Sequence, residues 1–345
     1  MNGETKLDSL VKLLMEAPDE VFIQPHNVPD PDAIASSLGL YHLLESRGIK
    51  KLAIVYDREI EKANSLRMLD LFNVPIIRAS EATTLGEEDW AVLVDVQKSN
   101  ANVTDLATDE VAVIDHHEYL GNKGYKFEDI RPNVGSCSAI IADYFFENKI
   151  LPPCNVATAL LYGIYMDTDD LTRGASTLDI DMFYRLYPLA NISCIVELRG
   201  NEISVDDLAL YAEAFKTVEI YDEMGFLRLE SANDSLLGAA GDIVVSISGV
   251  NIAIAYARRA NGIKISTRSA SPHYYASDLV RCLVDGMGTG GGHNHMAGGF
   301  IPAENLTPLR SIDTFIKHRA IAFYESAGNK SRHDDSSLRA TAFLR

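Results

Sequence analysis

The sequence predicts two α/β domains in tandem: an N-terminal doubly wound, mostly parallel sheet, a helical linker, and a smaller C-terminal α/β domain. Three observations carry this. Short runs rich in Val and Ile, the kind buried on both faces of a parallel sheet, alternate with helix-period segments through the first half. After residue 224 the pattern changes to closely spaced strand-like runs. The chain, at 345 residues with 47% hydrophobic and 23% charged side chains, is long and apolar enough for two separate cores. The expected boundaries are 1–200 for the first domain, 201–224 for the linker, 225–325 for the second domain and 326–345 for a polar tail.

The elements follow in order. Leu7, Leu10, Val11, Leu14 and Met15 recur at helical spacing and predict an amphipathic first helix. "VFIQ" (21–24) reads as a strand and leads into "HNVPDPDAIASS" (26–37). Pro29 and Pro31 are expected to keep that loop extended through Asp32. Alternate residues of an extended segment point the same way, so Asp30 and Asp32 are expected to face one point. "AIASSLGLYHLLESRG" is helical in period and stops at Gly48. "KLAIVYD" (51–57), a helical stretch near 61–72, "VPIIRA", "AVLVDV" (91–96) and "VAVID" (111–115) continue the alternation. "GSCSAIIADYFFENK" (135–149) and "VATALLYGIYMDT" (156–168) read as helices. "SVDDLALYAEAFKTVEIYDE" (204–223) reads as the linker helix. The second domain then reads as strands "GFLRLE", "GDIVVSI", "NIAIAYARR" and "GIKISTRS", a helix "YYASDLVRCLVDGM", a glycine run and a last strand "GGFIP". The stretch 327–345 is polar and expected to be loose.

Several functions are excluded. A net charge of −18 speaks against a duplex DNA binder, which needs a broad basic face. No apolar run reaches the roughly 18–20 residues of a membrane span, so no membrane partner is expected. The N-terminus lacks a signal-peptide pattern, and Cys137, Cys154, Cys194 and Cys282 are scattered without a CxxC pair. Both features point to a reducing cytoplasm.

Acidic residues repeatedly follow the apolar runs. Asp95 ends "WAVLVD", Asp115, His116 and His117 end "VAVIDHH", and Asp167 follows "LLYGIYM". In an open parallel sheet the carboxyl ends of strands line the ligand crevice. The sequence thus gathers His26, Asp30, Asp32, Asp95, Asp115 and His116 on one rim, with Asp167 brought over it. Two bare carboxylates 4 Å apart repel by about 4 kcal/mol even at an effective dielectric near 20. Divalent cations offset this. Carboxylate and imidazole without thiolate favour Mn²⁺ first, with Mg²⁺, Co²⁺, Fe²⁺ or Zn²⁺ as alternatives. The ligand supply suffices for two ions roughly 3.5–4 Å apart. His117, adjacent to His116 on a strand end, points the opposite way and is expected outside the metal shell. Gly290, Gly291 and Gly292 lack Cβ atoms and let the backbone approach a phosphate, with His293 beside them; a flexible turn is the alternative reading. His273, Tyr274 and Tyr275 read either as base-stacking residues or as packing, and Arg258 and Arg259 as extra charge or a solvated edge.

"HNVPDPDAIASS", "VDVQKS", "DHH" and "YGIYMDTDD" resemble the four motifs of the DHH phosphoesterase superfamily, and "GTGGGHNHMAGG" (288–299) resembles the GGGH motif of its associated C-terminal domain. The resemblance implies manganese-dependent hydrolysis of phosphodiesters or phosphoanhydrides in a cleft between two domains. It implies that His26, Asp30 and Asp95 hold one metal and Asp32, Asp95, His116 and Asp167 the other, with Asp95 bridging. Asp169 rivals Asp167 for the last place. Asp115 would orient His116, and His117 would face substrate or donate a proton to the leaving oxygen. Arg268 in "KISTRS" resembles the family's substrate-binding Arg, while Asn294 and His295 depart from the commoner run. The implied branch is the nanoRNase and phosphoadenosine-phosphate phosphatase group. Its substrates are short single-stranded RNA or DNA, linear dinucleotides or 3′-phosphoadenosine 5′-phosphate, and a homodimer fits the resemblance. The first motif is also similar to that of manganese inorganic pyrophosphatases, which leaves a phosphoanhydride hydrolase as the second reading. A non-catalytic nucleotide sensor is the third.

Overall fold

The computed structural model describes residues 3–60, 62–199, 205–230, 232–307 and 310–326, in two compact units divided between Glu202 and Ile203. The expected tail, 327–345, lies outside the described residues.

The first unit runs α1 (Lys6–Leu14), β1 (Val21–Gln24), α2 (Pro31–Ser46), β2 (Leu52–Tyr56), α3 (Ala63–Phe72), β3 (Ile76–Arg78), β4 (Trp90–Val94), β5 (Asp109–Asp115), β6 (Phe127–Ile130), α4 (Cys137–Glu147), α5 (Cys154–Asp167), α6 (Thr177–Leu186) and α7 (Ile192–Arg199). Its six strands lie in the order β3-β2-β1-β4-β5-β6. All five pairings are parallel. Strand order therefore reverses between β1 and β4, and such a switch point opens a crevice beyond the carboxyl ends of the strands. Ile23, Ile54, Val92, Val94 and Ile114 turn into one large core with α2, α4 and α5, while Leu93, Val96 and Val113 form a small cluster of their own. Gly39 lets the three helices close up: a Cβ there would fall 2.7 Å from Ile141 Cγ2 and 3.2 Å from Leu160 Cδ2.

The proline loop differs from expectation. Asp32 is not extended; it sits in the first turn of α2, because Pro31 occupies the opening helical position and Asp30 caps the helix, accepting from the Asp32 and Ala33 N–H groups.

The second unit runs α8 (Val205–Phe215), β7 (Glu219–Tyr221), β8 (Met224–Leu229), α9 (Asp234–Val245), β9 (Ile252–Arg259), β10 (Gly262–Ser269), α10 (Ala276–Val284), β11 (Thr289–Gly292), β12 (Met296–Pro302) and α11 (312–326). The mixed sheet is ordered β11-β12-β10-β9-β8-β7. α8 and α9 cover one face through Tyr211, Leu237, Ala240 and Val244 against Leu227, Ala253 and Ala255. α10 and α11 cover the other through Leu279, Leu283 and Ile316 against Ile254, Ile263 and Ile265.

Three readings change here. "GDIVVSI" is not a strand: its first five residues finish α9, which Asn233 caps and whose Leu237, Ala240 and Val244 face the sheet at helical spacing. The β-branched residues hid that period. The helix expected over 204–223 ends at Phe215, and residues 219–221 pair with β8 instead. The flexible-turn alternative for the glycine run falls too, since Gly290–Gly292 form most of the edge strand β11.

Gly39→Val is expected to lower stability by about 1–3 kcal/mol, the usual cost of overpacking, even though valine loses less backbone entropy in a helix than glycine. Urea unfolding of the two chains measures it.

Candidate metal centre

The strand ends deliver the site. His26 lies two residues past β1, Asp30 and Asp32 open α2, Asp95 follows β4, and Asp115 ends β5 with His116 and His117 behind it. Asp167 is the last residue of α5. All but Asp167 come from the two sides of the switch point. Three groups of side chains have ligand atoms within 4.8 Å of one another: His26, Asp30 and Asp95; Asp32, His116 and Asp167; and Asp95, His116 and His117. His26 Nε2 is 3.8 Å from both Asp30 Oδ1 and Asp95 Oδ2. His116 Nε2 is 3.2 Å from Asp95 Oδ1, 3.1 Å from Asp167 Oδ2 and 4.0 Å from Asp32 Oδ2. Asp95 thus touches both sets. The rival Asp169 is exposed and faces Arg173 at 3.6 Å.

Each side chain is held from behind. The Asp32 carboxylate is fully buried and accepts the Cys137 and Ser138 N–H groups at 2.7 and 2.8 Å, where the start of α4 favours negative charge. Gly163 makes room for this: a Cβ would sit 2.2 Å from Ser138 Oγ and 3.0 Å from Asp32 Oδ1. Asp95 has φ +60°, a left-handed backbone that few residues other than Gly, Asn, Asp and His adopt. The His116 Nδ1 lies 3.2 Å from the Val134 carbonyl, which accepts its proton and turns Nε2 toward the carboxylates. This is the usual second contact of a metal-ligating imidazole. Asp115 does not orient that ring. Its Oδ1 accepts the His116 backbone N–H and pairs with His117 Nδ1 at 2.8 Å, while Gln97 Nε2 donates to its Oδ2 at 2.7 Å. His117 is accordingly not aimed away from the rim, because its Nδ1 also comes within 3.7 Å of Asp95 Oδ1.

The arrangement fits a metal ion. With Nδ1 as the protonated nitrogen, His116 Nε2 and Asp95 Oδ1 are buried lone-pair atoms with no hydrogen-bond partner among the described residues, and they face each other. A cation resolves that contact, and in its place a proton would be drawn in. Burial pushes Asp32 well above the ordinary carboxylate range, reinforced by the charges of Asp95 and Asp167. Burial likewise raises Asp95 against the pull of His116. Burial opposes the charged form of His116, yet contact with Asp167 and Asp95 lifts its proton affinity well above normal. Burial also opposes charge on His117, but its bond to Asp115 raises it to about 9.

Gln97, the Val134 carbonyl and Gly163 escaped sequence reasoning. Nothing in their types marks them, since each acts through a neighbour that only the fold supplies.

In the second unit, register brings Arg268 and part of the glycine run to one face. Gly291 pairs with Gly298, which pairs with Ser266, two residues from Arg268. A Cβ on Gly291 would meet nothing within 4 Å, whereas Gly290 backs onto Val280 and Val284 of α10 and Gly292 has φ +142°. Gly291 and Gly298 therefore offer bare backbone beside Arg268. His293 donates its backbone N–H to the Met296 carbonyl in the turn, and His295 Nδ1 lies 3.2 Å from the Ser269 carbonyl. Arg268 itself lies along α9, where Cβ atoms on Gly238 and Gly241 would come within 2.9 and 3.3 Å of it, and Asp242 Oδ1 accepts from its Nε at 2.5 Å. Tyr274 is packed against Tyr324, as its packing reading has it, and Arg259 is tied to the Ala232 carbonyl and Asp234.

Comparison with known proteins agrees with this architecture. Residues 20–164 match the DHH family, N-terminal domain, and residues 223–317 match the DHHA1 domain, which together span more than half of the chain. An uncharacterised protein of Methanocaldococcus jannaschii, MJ1633, is 26% identical over 88% of this chain and 62% of its own length. The cyclic-di-AMP phosphodiesterase PdeA of Listeria monocytogenes is 26% identical over 81% of this chain and 44% of its own. A probable manganese-dependent inorganic pyrophosphatase of Streptococcus suis is 36% identical over 41% of this chain and 46% of its own. The chain thus spans less than two thirds of each of these relatives. The crystal structure of an exopolyphosphatase-related protein from Bacteroides fragilis superposes with a TM-score of 0.73 at 19% identity, covering 95% of this chain and 96% of that one. Two matched domains in order, with acidic motifs converging at the switch point of the first, make this chain a member of the DHH superfamily.

Proposed function

We propose that the chain is a metal-dependent phosphodiesterase that hydrolyses short oligonucleotides, linear dinucleotides among them, with two divalent cations, manganese first. The observation that carries this reading is the pair of adjoining ligand sets that meet at Asp95, each with carboxylate and imidazole and no thiolate. His26, Asp30 and Asp95 would hold one ion, and Asp32, Asp95, His116 and Asp167 the other. Bound there, the ions would lower the pKa of water and offset the charge of phosphoryl oxygens. The chain's own groups do the remainder. Val134 and Asp115 fix the two imidazoles, and Gln97 holds Asp115. His117 passes a proton to the leaving oxygen as the P–O bond breaks, a role that fits its 31% exposed side chain and its bond to Asp115. Arg268, with its planar fork, and the bare backbone at Gly291, flanked by Gly290, Gly292 and His293, receive a substrate phosphate.

Short substrates are favoured because a chain of net charge −18 repels a long polyanion. The likeness to a relative named for a cyclic dinucleotide, over 81% of the chain, supports a substrate of dinucleotide size. The same centre would also accept 3′-phosphoadenosine 5′-phosphate, where the bond hydrolysed is a phosphomonoester and the leaving group a ribose hydroxyl. A phosphoanhydride hydrolase is the second reading, favoured by the pyrophosphatase likeness over 41% of the chain. Cleavage of a 5′-labelled RNA dinucleotide with Mn²⁺ tests the first reading. Inert di- and trinucleotides beside rapid phosphate release from pyrophosphate would establish the second.

Two variants probe the parts. Asp95→Asn keeps a side chain suited to φ +60° and removes a buried charge. The metal-free variant is expected to melt no lower than the parent, while Mn²⁺ no longer raises its melting temperature. Gly291→Val fills open space, so stability is expected to hold within about 0.5 kcal/mol, as for ordinary surface changes. Its KM for the dinucleotide is expected to rise about tenfold or more with kcat little changed; steady-state kinetics reads the split.

A further inference from the structure

The second unit has a basic cavity that the proposed reaction does not use. It encloses about 300 Å³ where the ends of β8 and β9 meet the start of α11, and Arg228, Arg258 and Arg310 line it with Tyr256, Ile263 and Asp313. Arg228 is neutralised: its Nη1 donates to Asp313 Oδ2 at 2.9 Å and its Nη2 lies 3.2 Å from Glu230. Tyr256 donates its hydroxyl to the other Asp313 oxygen at 3.1 Å, so that carboxylate is engaged on both sides. Arg258 and Arg310 are different. Both are exposed, and neither has an ion pair or a hydrogen-bonded acceptor among the described residues. A second, adjoining cavity shares Arg310 and adds His318 and Arg319, which extends the basic surface along α11.

Two guanidiniums converging on one cavity without acceptors are poised for an oxyanion, since Arg presents paired donors that match carboxylate and phosphate geometry. In a chain with 49 acidic and 31 basic residues, such a concentration of unpaired positive charge is not a by-product of composition. The walls say more about the ligand. Ile263 and the Tyr256 ring give the cavity an apolar side, and its size falls at the lower end of small-molecule sites, roughly 300–1,000 Å³. That is more room than a bare phosphate needs.

The cavity is separate from the face assigned to substrate. Tyr256 and Ile263 belong to the core under α10 and α11, whereas Arg268 lies against α9 on the other side of the sheet. The two also occupy opposite ends of β10, since Arg258 pairs with Ile263 near its start and Arg268 pairs with Ala253 near its finish. We propose that this cavity binds a phosphomonoester with a compact organic body, held at its phosphate by Arg258 and Arg310.

The test uses the full chain stripped of metal with a chelator, so that the acidic centre binds no phosphate. Phenylphosphonate, whose P–C bond resists hydrolysis, is titrated by calorimetry. The parent chain is expected to bind one equivalent, more tightly than it binds inorganic phosphate. Arg258→Ala with Arg310→Ala is expected to weaken binding at least about tenfold, the scale of losing charge-assisted hydrogen bonds, with an unchanged melting temperature. Arg268→Ala is expected to leave the affinity within about twofold. The double lysine variant keeps the charge and is expected to fall between parent and double alanine. No binding by the parent, an unaffected double alanine variant, or a loss that follows Arg268 instead would each overturn the proposal.

Discussion

The chain's architecture rests on one electrostatic constraint: five carboxylates and three imidazoles brought to the carboxyl ends of three strands and the end of one helix, with Asp95 Oδ1 and His116 Nε2 left without a hydrogen-bond partner among the described residues. His116 Nε2 facing Asp95 Oδ1 across 3.2 Å is its sharpest expression. In bulk water such a contact would be trivial, but at a buried strand end it demands a positive charge between the two atoms. Everything nearby either tolerates that demand or sustains it. The start of α4 donates two N–H groups to Asp32, Val134 fixes the His116 tautomer, and Gln97 braces Asp115.

The parallel sheet makes the crowding geometrically possible. Reversal of strand order between β1 and β4 leaves no crossover above their ends, so the loops after β1, β4 and β5 converge without obstruction. α5 then closes the rim from the helical layer, and it comes close enough only because Gly163 has no side chain. Packing and function are therefore linked at single atoms: the space an α5 side chain would take is occupied by the hydroxyl that neighbours Asp32.

The parallel strands and the acidic rim were legible in the sequence because both are encoded by residue type at short range. Val- and Ile-rich runs followed at once by Asp or His can be read without knowing the fold. Asp32 is helical because Pro31, which breaks a helix running into it, equally starts one once Asp30 caps the turn. "DIVV" has a strand's composition, and the helical period of α9 shows only when Leu237 and Ala240 are counted with it. The glycine run pointed to close backbone approach, but which glycine is open and which is packed depends on strand register. The braces Gln97 and Val134 carry no local signal, because their importance lies in partners 18 residues away.

The left-handed backbone at Asp95 narrows the future of the centre. Coordination chemistry alone would accept Glu or Cys where the two proposed ligand sets join, and a softer ligand there would shift the preferred ion. A φ of +60° admits those side chains only with strain, while Asn and Gly, which fit, are poor ligands. Retuning metal preference would thus meet backbone strain at the position where the proposed ligand sets join, and would be freer at His26 or Asp167, whose backbones are not left-handed.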